Sequence, residues 1–149
     1  MNDSQTQSDD KNDIVAEESL GIQPGSDFTV LVVEDDKFLR DLLVRKLERE
    51  NLKVEVASNG KEVFDKAREC KPKLIVLDLI LPDMDGFQIL DNLKQNMESK
   101  DIPVLILSNL GQKDDIEKCM GLGAADYLIK AHFTPGDIVA KIKKLLDSK

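Results

Sequence analysis

The chain has 149 residues, enough for one compact domain with a core of its own and too few for two domains of ordinary size. It carries 29 Asp and Glu against 21 Lys and Arg, a formal charge of -8, which argues against a surface for nucleic acid or an anionic membrane and favours proteins or cations as partners. No apolar run approaches the roughly 20 residues that span a bilayer, and the N-terminus is acidic where a secretory signal is basic, so we expect a cytoplasmic protein.

The first part of the chain differs in composition from the rest. Residues 1–26 are rich in Asp, Ser, Gln and Asn and poor in large apolar side chains, so burial cannot offset the entropy cost of ordering them. We therefore expect a disordered acidic tail over 1–26 and one folded domain over 27–149. For the segment IVAEESLGI, residues 14–22, the alternative is a transient helix formed on a partner.

From Phe28 onward, strand patterns and helix patterns alternate five times. The predicted strands cover residues 28–33, 52–57, 73–78, 103–108 and 125–130. The apolar residues at helical spacing between and after them are Phe38, Leu42, Leu43 and Leu47; Val63, Phe64 and Ala67; Phe87, Leu90, Leu93 and Met97; Ile116, Cys119 and Met120; and Ile138, Val139, Ile142, Leu145 and Leu146. The last helix is predicted to begin with Thr134 as its N-cap and Pro135 in its first turn.

The strand patterns also predict the topology. Strands one, three and four are continuously apolar, which is typical of a parallel sheet covered by helices on both faces, whereas strand two alternates like an edge strand. We predict a doubly wound α/β fold of the flavodoxin-like kind with strand order 2-1-3-4-5. In such a sheet ligands bind where the order reverses, at the carboxyl ends of strands one and three.

Acidic residues stand at both of those strand ends. Glu34 and Asp35 follow strand one and Asp78 follows strand three, while Asp36 is expected to be only the N-cap of the first helix. Carboxylates this close raise each other's pKa unless they share a cation, and Mg²⁺ prefers oxygen ligands of this type. We therefore predict that Glu34, Asp35 and Asp78 hold Mg²⁺. Asp78 would keep one oxygen free as a nucleophile for a phosphoryl group.

Two further strand ends, those of strands four and five, carry groups suited to phosphate. Strand four ends in Ser108, whose hydroxyl can donate to a phosphoryl oxygen, and strand five ends in Lys130, whose ammonium is a point charge for phosphate. The other reactive residue types show no such pattern. Cys70 and Cys119 lack metal-ligand spacing and are expected to be reduced thiols in helices, and His132 is expected in a surface loop.

Four motifs, in this order, resemble the receiver domains of response regulators in two-component signalling, of the chemotaxis-regulator type. They are LVVEDD (31–36), VLDLILPDMDG (76–86), LILSN (105–109) and DYLIK (126–130), and the resemblance covers about residues 27–148. It implies that Glu34 and Asp35 bind Mg²⁺, that Asp78 is phosphorylated, and that Ser108 and Lys130 contact the phosphoryl group. It further implies that the backbone carbonyl of Ile80 is a metal ligand and that Tyr127 is a rotameric switch.

The resemblance also implies a function without an enzymatic substrate of its own. We expect a stand-alone receiver that a histidine kinase or phosphotransfer protein phosphorylates on Asp78, and that catalyses only its own phosphotransfer and dephosphorylation. Because no output domain follows the last predicted helix, output is expected through a downstream protein or a phosphorylation-dependent homodimer. The expected docking face comprises helix four, strand five and helix five, biased when Ser108 and Tyr127 move toward the phosphoryl group.

One departure from the family and three rival interpretations stay open. The family usually has proline after the lysine, with a cis bond, where this chain has Ala131; a non-proline cis bond costs about 2.5 to 4 kcal/mol, so either that bond is strained or Lys130 approaches differently. The first rival is a docking module that is never phosphorylated. A metal-dependent phosphohydrolase is disfavoured because Ile80 stands where a second nucleophile-loop acid is common, and a flavin or nucleotide binder because EDDKF contains no glycine.

Overall fold

The computed structural model describes residues 29–147, so the predictions for the tail and for the segment 14–22 lie outside the described residues. The strands are β1 (Thr29–Val33), β2 (Lys53–Ala57), β3 (Leu74–Leu77), β4 (Val104–Ser108) and β5 (Asp126–Ile129). The helices are α1 (Lys37–Glu48), α2 (Gly60–Cys70), α3 (Gly86–Gln95), α4 (Lys113–Gly121) and α5 (Pro135–Asp147). A short 3₁₀ turn, Lys130–His132, lies between β5 and α5.

The five strands form one parallel sheet in the order β2-β1-β3-β4-β5, which confirms the predicted fold class and strand order. β1 is central, since Val30 lies opposite both Val54 of β2 and Leu74 of β3. The order reverses between β1 and β3, so the carboxyl ends of these two strands flank the topological switch point.

Two separate cores lie on the two faces of the sheet. Alternation along β1 directs Val30 and Val32 into one core and Leu31 and Val33 into the other. The first core is covered by α1 and α5, and the second by α2, α3 and α4. Burial on both faces explains why the central strands read as continuous apolar runs.

Three of the apolar residues predicted at helical spacing are exposed in the structure. Phe38 is 75% exposed, Met97 78% and Met120 43%. At 100° per residue, Phe38 lies on the opposite side of α1 from Leu47, which is fully buried. Met97 lies beyond the end of α3, because Asn96 already has an extended backbone.

Smaller predictions about the helices and loops are confirmed. Asp36 caps α1 by accepting from Phe38 N–H at 3.0 Å and Leu39 N–H at 3.3 Å. Thr134 Oγ1 accepts from Asp137 N–H and Thr134 N–H donates to Asp137 Oδ2, both at 3.1 Å, which is a reciprocal capping box for α5. Both cysteines are free. No helix among residues 29–147 has the length and apolar character needed to cross a membrane.

Candidate functional site at the carboxyl edge of the sheet

The backbone of the sheet positions two of the predicted acids. Glu34 follows β1 and its N–H donates to Ala57 O at 3.0 Å, and Asp78 follows β3 and its N–H donates to Val33 O at 3.1 Å. The ladder of hydrogen bonds therefore continues one residue beyond each strand, which restrains both carboxylates at the switch point. Both residues are buried, with exposed fractions of 2% for Glu34 and 5% for Asp78.

A single lysine joins these two buried carboxylates. Lys130 Nζ lies 2.7 Å from Glu34 Oε1 and 2.8 Å from Asp78 Oδ2. Burial alone would lower the pKa of Lys130, but its hydrogen bonds to Asp78 and Glu34 outweigh burial and raise the pKa. Burial raises the pKa of Glu34, because the loss of hydration exceeds the stabilisation that Lys130 supplies. The lysine thus remains charged, while burial disfavours the charged form of Glu34.

The charge at this edge is not balanced by Lys130. One carboxylate oxygen from each of Glu34, Asp35 and Asp78 lies within 4.8 Å of the others. Glu34 Oε1 is buried and faces Lys130 Nζ at 2.7 Å, so one ammonium group serves two buried carboxylates while Asp35 lies beside them. Three clustered carboxylates beside a single lysine are oxygen donors of the kind that suits a hard divalent cation such as Mg²⁺. The predicted metal-binding acids therefore meet in space.

The second carboxylate oxygens of Glu34 and Asp78 accept hydrogen bonds from backbone N–H groups. Asp78 Oδ1 accepts from Ile80 N–H at 3.1 Å, and Glu34 Oε2 accepts from Asp36 N–H at 3.0 Å. The Ile80 backbone, predicted to supply a carbonyl ligand, is thereby tied to the Asp78 side chain. The Ile80 side chain is 55% exposed.

Ser108 and Tyr127 lie on the two strands next to this cluster. Ser108 is fully buried at the end of β4 and lies opposite Ile129, the residue before Lys130. Both predicted switch residues bond to the same backbone: Ser108 Oγ accepts from Leu110 N–H at 3.3 Å, and the Tyr127 hydroxyl donates to Leu110 O. Burial, above all, raises the pKa of Tyr127 to about 12. The two side chains are therefore linked through one residue of the loop after β4.

The departure at Ala131 leaves the lysine in place. Every peptide bond among residues 29–147 is trans, including the bond between Lys130 and Ala131. Lys130 reaches both carboxylates from the first position of the 3₁₀ turn. Of the two alternatives, Lys130 approaches without a cis bond. His132, in the same turn, is exposed as predicted.

Sequence reasoning missed the reach of Asp83, a residue of the loop between β3 and α3. Asp83 Oδ1 accepts from Gly60 N–H at 2.7 Å, and Oδ2 accepts from Lys61 N–H at 3.1 Å. The donors are the first residues of α2, 22 and 23 residues earlier in the chain. No local pattern could pair them, because the contact exists only once α2 and α3 lie side by side. Asp85, by contrast, is the N-cap of α3.

The sequence of the chain matches a known family. The profile of the response regulator receiver domain matches residues 30–143. The transcriptional regulatory protein SrrA of Staphylococcus aureus is 38% identical over 117 residues, which are 78% of this chain and 47% of SrrA.

Solved structures agree as well. The non-phosphorylated receiver domain of HemR from Leptospira biflexa is 29% identical with a TM-score of 0.74, covering 80% of this chain and 94% of that one. The Mn²⁺-bound form of the response regulator Rcp1 is 27% identical with a TM-score of 0.66, covering 81% and 90%. The chain belongs to the response regulator receiver domain family of two-component signalling systems.

Proposed function

We propose that Asp78 accepts a phosphoryl group in a Mg²⁺-dependent reaction, from a histidine kinase or a phosphotransfer protein. The observation that carries this proposal is the buried carboxylate pair, Glu34 and Asp78, bridged by Lys130 with Asp35 beside it. A purely structural role does not account for the arrangement, because burying two acids for one lysine costs desolvation energy that apolar side chains would avoid.

Each site residue has a role in this proposal. Glu34, Asp35, Asp78 and the Ile80 carbonyl would hold Mg²⁺, which when bound neutralises charge on the phosphoryl oxygens. An oxygen of Asp78 forms the new bond to phosphorus as the bond from phosphorus to the donor nitrogen breaks. The manganese in Rcp1 supports a divalent cation in a receiver of this fold.

The phosphoryl group then competes for the groups that now hold Asp78. Lys130, at 2.8 Å from Asp78 Oδ2, is placed to transfer its ion pair to a phosphoryl oxygen, and the Ser108 hydroxyl to donate to another. Movement of Ser108 would affect Tyr127 through Leu110, because both side chains are hydrogen-bonded to the backbone of Leu110. We propose that this shift biases a docking face formed by α4, β5 and α5.

The downstream target of the signal is less directly supported by the described residues. The chain spans about half the length of SrrA, so a stand-alone receiver, as the sequence predicted, stays a prediction. We propose a downstream protein as the target, with a phosphorylation-dependent homodimer as the other route, and no nucleic acid or membrane contact by this acidic domain. The proposal further includes a cytoplasmic location and no catalysis beyond the domain's own phosphotransfer and dephosphorylation.

The test is intact-mass analysis after incubation with acetyl phosphate, with Mg²⁺ or with a chelator. We expect one added phosphoryl group with Mg²⁺, none with the chelator, and none in Asp78→Asn. Asp65→Asn, a surface acid paired with Arg68 on α2, is the control and should be labelled like the wild type.

Two outcomes would favour the rivals. No labelling of a folded wild-type protein in Mg²⁺ would favour the docking module that is never phosphorylated. Continuous release of phosphate from simple phosphate esters would instead favour the phosphohydrolase.

A further inference from the structure

The loop between β3 and α3, residues 78–85, carries the proposed phosphoryl acceptor and the proposed carbonyl ligand; we name it the acceptor loop. Its ends are fixed by local hydrogen bonds. Asp78 Oδ1 accepts from Ile80 N–H at 3.1 Å, and Leu79 O accepts from Gly86 N–H at 3.0 Å. Between these ends the backbone crosses an exposed stretch, since Pro82 and Asp83 are both exposed.

The middle of the acceptor loop is attached to a different helix. Asp83 accepts two hydrogen bonds from the first residues of α2, Gly60 and Lys61. Next to it, Met84 packs so closely on Gly60 that a Cβ at position 60 would lie 2.7 Å from the Met84 sulfur. Two consecutive loop residues therefore contact the same turn of α2, one by charge-assisted hydrogen bonds and one by packing.

These contacts add to the N-cap that α2 already has. Asn59 is already the N-cap of α2 and accepts from Glu62 N–H at 3.0 Å. Asp83 satisfies two more of the N–H groups that every helix start leaves without intrahelical partners. The hydrogen bond from Gly60, first of all, lowers the pKa of Asp83, so the side chain is a carboxylate at neutral pH. The first turn of α2 therefore donates hydrogen bonds to two separate segments, one containing Asn59 and the other Asp83.

We propose that Asp83 is a positioning residue that holds the acceptor loop against α2 and thereby keeps the Ile80 carbonyl where Mg²⁺ needs it. This inference rests on the proposed function, since it assumes that the acceptor loop contributes to a metal site. Residues that orient metal ligands from outside typically change metal affinity by about 10- to 100-fold when removed. Freeing the middle of the loop should act in the same way.

Comparing Asp83→Ala with Asn59→Ala separates positioning from helix stability. Both substitutions remove hydrogen bonds from the first turn of α2, but only Asp83→Ala detaches the acceptor loop. By isothermal titration calorimetry on the full chain, we expect Asp83→Ala to weaken Mg²⁺ binding about tenfold and Asn59→Ala less than about twofold. Asp83→Asn keeps one acceptor oxygen and should lie between wild type and Asp83→Ala.

Amide hydrogen exchange without metal provides a second measurement. The amides of Ile80 and Gly86 should exchange faster in Asp83→Ala than in Asn59→Ala, whereas the first amides of α2 should exchange faster in both. This comparison does not depend on Mg²⁺. It also remains readable for Asp83→Asn if Asp83→Ala does not fold.

The results distinguish the two ideas. Equal Mg²⁺ affinities in Asp83→Ala and wild type, or equal losses in Asp83→Ala and Asn59→Ala, overturn the positioning role and leave the proposed function intact. A wild-type protein that binds no Mg²⁺ overturns the proposed function together with the metal part of the inference. Unchanged exchange at Ile80 and Gly86 overturns the attachment itself.

Discussion

The two edges of the sheet carry charged residues in opposite ways. At the amino edge a cavity of about 440 Å³ is lined by Arg68, Lys71, Lys73, Glu98 and Asp101, together with apolar residues, and all five charged residues are exposed. At the carboxyl edge Glu34 and Asp78 are buried and Lys130 Nζ lies within 2.8 Å of both. The charged groups around this cavity are therefore in water, whereas those at the carboxyl edge are not.

The difference between the two edges is the desolvation of their charged groups, which is the feature on which the proposed function rests. Exposed charges are screened by water and salt and contribute little to stability or chemistry. Buried charges interact strongly and persist only where partners compensate them. The carboxyl edge has this property because three strands end there together and deliver Glu34, Asp78 and Lys130 to one point. Stability measurements can test the contrast directly.

The largest expected effect follows from removing the shared cation at the carboxyl edge. Lys130→Met leaves Glu34 and Asp78 buried without their partner, and breaking a buried pair in this way costs about 3 to 5 kcal/mol. We expect a loss of this size in the free energy of unfolding, measured by urea denaturation at neutral pH with a chelator. Added Mg²⁺ should restore part of the loss, because it would neutralise the same carboxylates.

The matched control lies at the amino edge. Lys73 stands directly before β3 and is exposed, and its backbone N–H, which donates to Thr29 O at 2.8 Å, is kept on substitution. Lys73→Met should change the free energy of unfolding by less than about 0.5 kcal/mol. Similar losses in Lys73→Met and Lys130→Met would contradict the contrast between the two edges.

A smaller effect is expected from the tight packing of the acceptor loop. A Cβ on Gly86 would lie 2.3 Å from Leu79 Cα and 2.6 Å from Leu79 O, backbone atoms that cannot turn aside like a side chain. Gly86→Ala should therefore destabilise the protein by about 1 to 3 kcal/mol in thermal or urea unfolding.

Its control is Gly121→Ala, at the end of α4, where the added methyl group meets nothing within 4 Å. That change should leave stability unchanged or raise it by up to about 1 kcal/mol, since alanine loses less backbone entropy than glycine in a helix. Tolerance of Gly86→Ala would show that the acceptor loop is looser than its contacts imply.

The sequence predicts those parts of the structure that follow from local patterns of apolar and polar residues. The five strands end within one residue of their predicted limits, because apolar runs bounded by turns and charges are strong local signals. The meeting of Glu34, Asp35 and Asp78 could also be predicted, since parallel strands bring their carboxyl ends together. The exposure of Phe38 could not be predicted, because hydrophobicity at roughly helical spacing does not show which face of a helix is inward.

Other features depend on distant contacts that no sequence period contains. The bridging of two carboxylates by Lys130 could not be predicted, because it depends on the distances among three strand ends. Asp83 finds its partners on α2 only after the helices have packed. In both cases one side chain contacts a distant element of the fold. The sequence identifies the residue but not its partners. Contacts of this kind are the ones that experiment must examine first.

The smallest expected effect is measured by titrating Tyr127 in the unmutated protein. This titration tests how far desolvation extends along the carboxyl edge. The chain has one Tyr and no Trp, so the absorbance change of an ionising phenol reports Tyr127 alone. Burial raises the pKa of Tyr127 to about 12, and the same residue should titrate near its ordinary value of about 10 in urea.

The sign of the stability change follows from this difference. Because the folded protein binds the phenolic proton more tightly, the contribution of Tyr127 to stability is complete below about pH 10 and is lost as the pH rises toward 12. Tyr127→Phe should therefore lose less stability than wild type over that interval, although lysines titrate in both proteins. A folded-state midpoint near 10 would place the hydroxyl in water and would confine the desolvated region to Glu34, Asp78 and Lys130.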